Sequence, residues 1–157
     1  MPISAGQVAP DFTLLDENQN PHTLSDYRGK SVVIFFYPKD NTPGCTREAC
    51  NFRDDYSAYE KLNTVIFGIS ADSSKSHGNF INKFDLPFPL LADTEKEVIN
   101  KYDVWGLKKF MGKEYEGIFR TTFIIDQQGN ISTVFEGVKP AAHSVEVLEA
   151  LNSMQTA

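Results

Sequence analysis

The sequence predicts an α/β domain built on a central mixed β-sheet flanked by helices, and three observations carry that prediction. Two continuous apolar runs, KSVVIFFYP and TVIFGIS, read as buried strands. Between them lies an amphipathic stretch long enough to cross over and set the two strands parallel. Near the C-terminus, two alternating runs flank QQGN and are followed by a further amphipathic helix.

The elements are taken in chain order. Phe12–Leu14 and His22–Leu24 flank the polar DENQNP and predict a small N-terminal hairpin. KSVVIFFYP is β-branched and aromatic throughout and closed by Pro38, as a central strand covered on both faces should be. In CTREACNFRDDYSAYEKL, Cys45, Ala49, Phe52, Tyr56 and Tyr59 recur at helical spacing, which predicts one helix of about four to five turns. TVIFGIS is the next strand, SKSHGNFINKF a helix and PFPLLAD a short strand. Thr94 and Glu97 have capping-box spacing and would open a helix running through Tyr102. FRTTFIID and ISTVFEG form a hairpin, and AAHSVEVLEALNS is a closing helix. The pattern fits a thioredoxin-like core with an N-terminal β-hairpin extension. With no internal repeat, linker or low-complexity tract, residues 1–157 read as a single domain.

Composition narrows the function classes. Formal net charge is −6, and no Lys/Arg cluster breaks the acidic balance, so nucleic acid and anionic membranes are disfavoured as partners. No segment reaches the roughly 20 apolar residues of a membrane span, and MPISAGQVAPDFTLL lacks the features of a signal peptide. Two cysteines make no disulfide framework, so a cytoplasmic, reducing setting is expected.

Both cysteines lie in PKDNTPGCTREACNF, at the carboxyl end of the central strand and the start of the next helix, where chemistry in such sheets is expected. Cys45 follows Thr42-Pro43-Gly44 and opens the helix. Unpaired N–H groups and the helix dipole there favour a thiolate, hence a lowered pKa and a nucleophile. The plainer reading, a small apolar residue on the core stripe, is not dismissed by periodicity. Cys50 is turned about 140° from Cys45 and shares a face with Asp54, Ser57 and Lys61. Ideal helix geometry separates the two Cα atoms by about 8.7 Å, beyond disulfide reach, so the thiols can pair only if the helix unwinds. No metal is expected: His22, His77 and His143 sit in three separate segments without ligand spacing, although long-range assembly stays open. No C-x-x-C pair is present for thioredoxin-type exchange.

Pro38, Thr42 and Cys45 in PKDNTPGC match P-x-x-x-T-x-x-C, and on these residues the sequence resembles the peroxiredoxins. With Glu48 and Cys50 in CTREACNF, it resembles the atypical two-cysteine class, peroxiredoxin Q or bacterioferritin comigratory protein. APDFTLLDENQNPHTLSDYRGKSVVIFFYPKDNTPGCT and YDVWGLKKFMGKEYEGIFRTTFIIDQQGNI extend the resemblance over nearly the whole chain. It implies a thiol-dependent peroxidase that reduces hydrogen peroxide and organic hydroperoxides without a cofactor. Cys45 would be the peroxidatic thiolate and become a sulfenic acid. Thr42 would hydrogen-bond sulfur and peroxide, and Arg120 would hold the thiolate and the charge developing across the breaking O–O bond. Pro38 and Gly44 would shape the loop, with Pro38 shielding the sulfur. Glu48, placed on the first helical turn where it suits the dipole, would support the arginine. Cys50 would resolve the sulfenic acid as an intrachain disulfide, to be reduced by thioredoxin or a glutaredoxin-like dithiol.

Trp105–Gly117, WGLKKFMGKEYEG, shows no clear periodicity and reads as a long loop. Trp105, Phe110 and Met111 could line a flexible wall for bulky hydroperoxides, or the segment could be a connector anchored by its aromatic residues. Two rivals remain: a metallochaperone binding copper through both cysteines and a histidine, and a redox sensor passing its disulfide to a partner. With no evident exposed hydrophobic strand or C-terminal arm, a monomer is expected.

Overall fold

The structure, a computed structural model, describes residues 3–140 and 143–156. Nine strands, β1 (Thr13–Leu15), β2 (Pro21–Thr23), β3 (Ser31–Phe36), β4 (Thr64–Ser70), β5 (Leu90–Ala92), β6 (Trp105–Phe110), β7 (Lys113–Ile118), β8 (Thr121–Ile125) and β9 (Ile131–Phe135), are interleaved with five α-helices and one short 3-10 helix (Leu24–Tyr27) among these residues. The helices are α1 (Pro43–Asp54), α2 (Tyr56–Lys61), α3 (Ser74–Phe84), α4 (Glu97–Lys101) and α5 (His143–Thr156). Seven strands form one mixed sheet in the order β2-β1-β5-β4-β3-β8-β9. β3 runs parallel to β4 and antiparallel to β8, and β1 joins the N-terminal hairpin to β5 through Leu15 and Ala92. This is the thioredoxin-like arrangement with its N-terminal hairpin that the strand and helix order implied.

The alternation of β3 divides the interior in two. Val32, Ile34 and Phe36 face one core with Phe67, Ile69, Ile99, Tyr102 and Phe123. Val33, Phe35 and Tyr37 face the other, with Cys45, Ala49 and Phe52 of α1, Tyr59 of α2, Phe80 of α3 and Val147 and Leu151 of α5. Burial on both sides explains why β3 and β4 read as unbroken apolar runs. Helix α1 is thereby pressed against the sheet with Cys45 at its buried N-terminal end.

Four expectations need correction. The single helix predicted from Cys45 to Leu62 is two helices, interrupted at Asp55, whose φ/ψ of −100/8° leaves the α-helical region. Helix α4 does not start with a Thr94 cap: its N-cap is Lys96 in the left-handed region, and the buried Asp93 carboxylate takes the Ile99 N–H at 2.7 Å. The segment after Trp105 is a hairpin rather than a loop, β6 pairing with β7 outside the main sheet. Its two-residue turn, Met111–Gly112, has positive φ at both positions (52° and 81°), which the usual Asn-Gly signal would have announced and Met-Gly does not. Glu48 sits on the second turn of α1, whose first turn carries no acid. Ala141 and Ala142, predicted to begin the last helix, lie outside the described residues.

Two glycines, one in the packed interior and one with open space beside it, make a test of this packing. A Cβ at Gly68 in β4 would come within 2.6 Å of Leu90 Cδ2 and 2.7 Å of Phe35 Cζ, whereas one at Gly78 in α3 would meet nothing nearer than 3.9 Å. Gly68→Ala should cost about 1–3 kcal/mol by overpacking, and Gly78→Ala should gain about 0.5–1 kcal/mol from helix propensity. Urea denaturation of both variants reads the two signs.

Candidate active site

The site is built where β3 ends and α1 begins. The chain leaves β3 through Tyr37 and the half-buried Pro38, turns through Asn41 (φ 60°), and enters α1 at Pro43 in its first turn. Thr42 is the N-cap residue by position, but its hydroxyl makes no cap bond and donates instead to Lys39 O at 2.9 Å. With its proton committed there, Thr42 Oγ1 can meet a further group only as an acceptor. Cys45, two residues into the helix, is 1% exposed, and its sulfur takes a hydrogen bond at 3.3 Å from Arg120 Nη2.

Arg120 comes from the strand side, immediately before β8. Its backbone is tied by the Val138 N–H donating to Arg120 O, and its guanidinium forks. Nη2 reaches Cys45 while Nη1 donates to Glu48 Oε1 at 2.8 Å. Cys45 and Glu48 are three residues apart, so the helix itself presents both acceptors to one arginine. Gly44 permits the approach: a Cβ there would stand 3.2 Å from Arg120 Nη2 and 3.7 Å from Pro140 Cγ. Burial alone would lower the arginine's pKa, but Glu48 and Cys45 outweigh it and hold the group above its ordinary value.

Glu48 is fully buried, and its second oxygen, Oε2, has no hydrogen-bond partner among the described residues. Burial pushes its carboxyl up to about 7, with Arg120 pulling the other way and preventing a larger rise. Cys50 lies on the other flank of α1, half-buried, where burial raises its thiol and Arg53 opposes the rise. Both cysteines are free thiols within a continuous α1. The helix is held on either side of Cys50 by Glu48 on Arg120 and by Asn51 Nδ2 donating to Pro140 O at 2.7 Å.

Beside Arg120 opens a cavity of about 540 Å³, lined by Lys108, Phe119, Thr121, Val138 and the acids Asp103 and Glu136. Of the wall expected from Trp105, Phe110 and Met111, neither Trp105 nor Met111 is among the residues that line it. Trp105 packs half-buried against the first core with Lys96 Nζ 4.9 Å over its ring, Met111 is 87% exposed at the hairpin turn, and the Phe110 side chain lies outside the described ones. Phe119 takes that place, its ring lying over Gly106 of β6, where a Cβ would clash at 2.6 Å. Opposite-face alternation along β6 brings Lys108 to the cavity, and burial followed by the charge of Arg120 lowers its pKa. No sequence pattern singles out Phe119, Val138 or Lys108, because three separate segments bring them together.

Of the expected residues, the structure therefore joins Cys45, Glu48, Gly44 and Arg120 directly, places Thr42 and Pro38 in the preceding loop, and leaves Cys50 apart. The titratable side chains nearest to metal-ligand geometry among the described residues are Asp40, Asp72 and His77, a group without either cysteine.

Comparison with known proteins shows the family. Residues 5–134 match the AhpC/TSA family profile. The chain is 48% identical to peroxiredoxin Bcp of Bacillus subtilis (strain 168) over 154 residues, 98% of both chains. It is 41% identical to peroxiredoxin Bcp of Escherichia coli (strain K12), covering 96% of each. A structure of the Xanthomonas campestris bacterioferritin comigratory protein, studied for its alkyl peroxide reduction activity, superposes with TM-score 0.89 at 35% identity, covering 96% of this chain and 99% of that one. Peroxidoxin BcpB of Mycobacterium tuberculosis gives 0.86 at 32% identity, with 97% and 98% covered.

The buried carboxyl yields a signed prediction. Glu48 binds its proton more tightly folded (about 7) than unfolded (4.5), so stability is lost as pH rises from about 4.5 through 7 and the loss is complete above that range. Glu48→Gln lacks this term. Its stability relative to the parent should improve between pH 5 and pH 8 by up to about 3 kcal/mol, read by urea denaturation at the two pH values. A gap independent of pH would contradict the assignment.

Proposed function

Because the chain belongs to the AhpC/TSA family, we propose that it is a thiol-dependent peroxidase of the Bcp/peroxiredoxin Q type, acting through Cys45. The observation that carries this reading is the single guanidinium of Arg120 on both Cys45 Sγ and Glu48 Oε1. The guanidinium brings a charged donor directly onto the sulfur, where negative charge is carried during attack on a peroxide. Glu48 in turn holds the fork in plane.

These positions support the following reaction. Cys45 sulfur attacks the terminal oxygen of a hydroperoxide: an S–O bond forms, the O–O bond breaks, and water or an alcohol leaves with a proton. Sulfur is oxidised by two electrons to a sulfenic acid and the peroxide is reduced by two. Thr42 Oγ1, its own proton held by Lys39 O, accepts the peroxide O–H and aligns it, while Arg120 stabilises the charge on the departing oxygen. An organic substituent enters the cavity against Phe119 and Val138.

Cys50 then condenses with the sulfenic acid, forming an S–S bond and releasing water. Helical geometry forbids this in an intact α1, so α1 must unwind first, breaking the Asn51–Pro140 bond. The interruption at Asp55 confines that unwinding to α1, because α2 is anchored by Tyr59 OH on Ser144 O at 2.9 Å. An external dithiol, thioredoxin or a glutaredoxin-like protein, returns the disulfide to two thiols. The protein works as a cytoplasmic monomer in antioxidant defence, one domain carrying the whole cycle. No helix among the described residues is long and apolar enough to cross a membrane.

Two experiments test the reading. Cys45→Ser should abolish peroxide turnover, while Cys50→Ser should still form a sulfenic acid trappable by dimedone but lose recycling by thioredoxin. Thioredoxin recycling retained in Cys50→Ser would contradict its resolving role. Phe119→Ala should lower kcat/KM for cumene hydroperoxide about three- to tenfold with little change for hydrogen peroxide. An equal fall for both substrates would remove the cavity from the account.

A further inference from the structure

Beneath the loop that carries Thr42 lies a buried polar cluster that the reaction above does not use. Asp40, two residues before Thr42, is almost fully buried and receives three hydrogen-bond contacts on its carboxylate. Tyr37 OH donates to Oδ1, Ser76 Oγ donates to Oδ2 at 2.8 Å, and His77 Nδ1 lies 2.7 Å from Oδ2. His77 is 0% exposed, and its Nε2 is 3.0 Å from Leu91 O. A carbonyl can only accept, so Nε2 carries a proton. The Asp40 backbone N–H donates at 2.8 Å to Asp72 Oδ2, which also takes the Ser70 hydroxyl at 2.7 Å.

These groups come from the end of β3, the end of β4 and the first turns of α3, and all converge on one loop residue. Polar groups so deeply buried stabilise a fold no better than apolar residues of the same shape would. What they do supply is direction, since each bond fixes an angle as well as a distance. The fixed residue is flanked by Lys39, whose carbonyl takes the Thr42 hydroxyl proton, and by Asn41, which is held in the left-handed region and whose Oδ1 takes a bond from Lys83 Nζ. The Thr42 carbonyl then accepts the Thr46 N–H and starts α1. Asp40 thus sets the backbone that aims Thr42 Oγ1.

We propose that Asp40 and His77 are positioning residues for peroxide reduction: clamped together under the loop, they hold Thr42 in the orientation that aligns the peroxide on Cys45. The inference rests on the peroxidase reading of the site. It also gives α3 a part in the cycle. When α1 unwinds, the loop before it stays braced from the α3 side, so the helix refolds onto an intact Thr42.

The test compares two electrophiles in a Cys50→Ser background, so that Cys45 alone reports. Hydrogen peroxide needs the alignment that Thr42 supplies, whereas iodoacetamide needs only an accessible thiolate. Asp40→Asn and His77→Gln should each slow sulfenic acid formation about ten- to a hundredfold while alkylation changes less than about threefold. The double variant should be no slower than the worse single one, because the pair acts as a unit. Ser76→Ala, which removes one hydroxyl from the same carboxylate, should give a smaller fall of the same selectivity and serves if the other variants fail to fold. Equal slowing with both electrophiles, or no slowing with either, overturns the inference while the peroxidase reading stands. A Cys50→Ser protein that does not react with peroxide at all overturns both.

Discussion

One turn of helix governs the site. Helix α1 sets Cys45 and Glu48 on the same buried flank, three residues apart, and one arginine from the neighbouring strand end answers both. The rest of the local structure serves that contact. Gly44 has no side chain because the guanidinium lies where a Cβ would crowd it, and Val138 ties the Arg120 backbone. The cost is a buried carboxyl with one oxygen left without a partner among the described residues, tolerable only because the arginine offsets part of its desolvation. The same helix keeps Cys50 away from Cys45. In the proposed cycle, a rod that holds two thiols apart for the first step would have to give way for the second.

Stability is distributed to suit that demand. The sheet beneath α1 is buried on both faces, and α2 and α5 are joined by the Tyr59–Ser144 bonds. α1 itself is held by separable side-chain contacts: Arg120 on Glu48, Asn51 on Pro140, and Arg53 Nη1 on Phe84 O. Phe52 anchors its C-terminal half against Phe35. In the proposed cycle, the interruption at Asp55 would let α1 loosen as a short unit while α2 and β4 keep their places.

The sheet was legible in the sequence because burial on both faces writes continuous apolar runs at β3 and β4, and the terminal hairpin carries Gln-Gly-Asn turn chemistry. Cys45 was legible from its place at strand end and helix start; Arg120 and Glu48 needed the family resemblance, since a charged strand-end residue and a helical acid are ordinary by themselves. The features that stayed hidden were of two kinds. Some depend on backbone geometry that an unusual residue adopts, such as Met111 in the β6–β7 turn and Lys96 as the α4 N-cap. Others depend on distance along the chain. Asp40 meets His77 37 residues on, and Phe119 meets Val138 and Lys108 only once three segments have packed. No local period records such meetings.

The central claim is that two thiols kept apart by an intact helix become bonded once per turnover. Treating the reduced protein with one equivalent of hydrogen peroxide, then recording intact mass and mapping non-reducing peptides, tests it directly. The expected result is a mass lower by about 2 Da, a monomeric product and a single peptide pair joining Cys45 to Cys50. A product in which Cys45 carries added oxygen while Cys50 remains a free thiol, or in which the bond joins two chains, would contradict it.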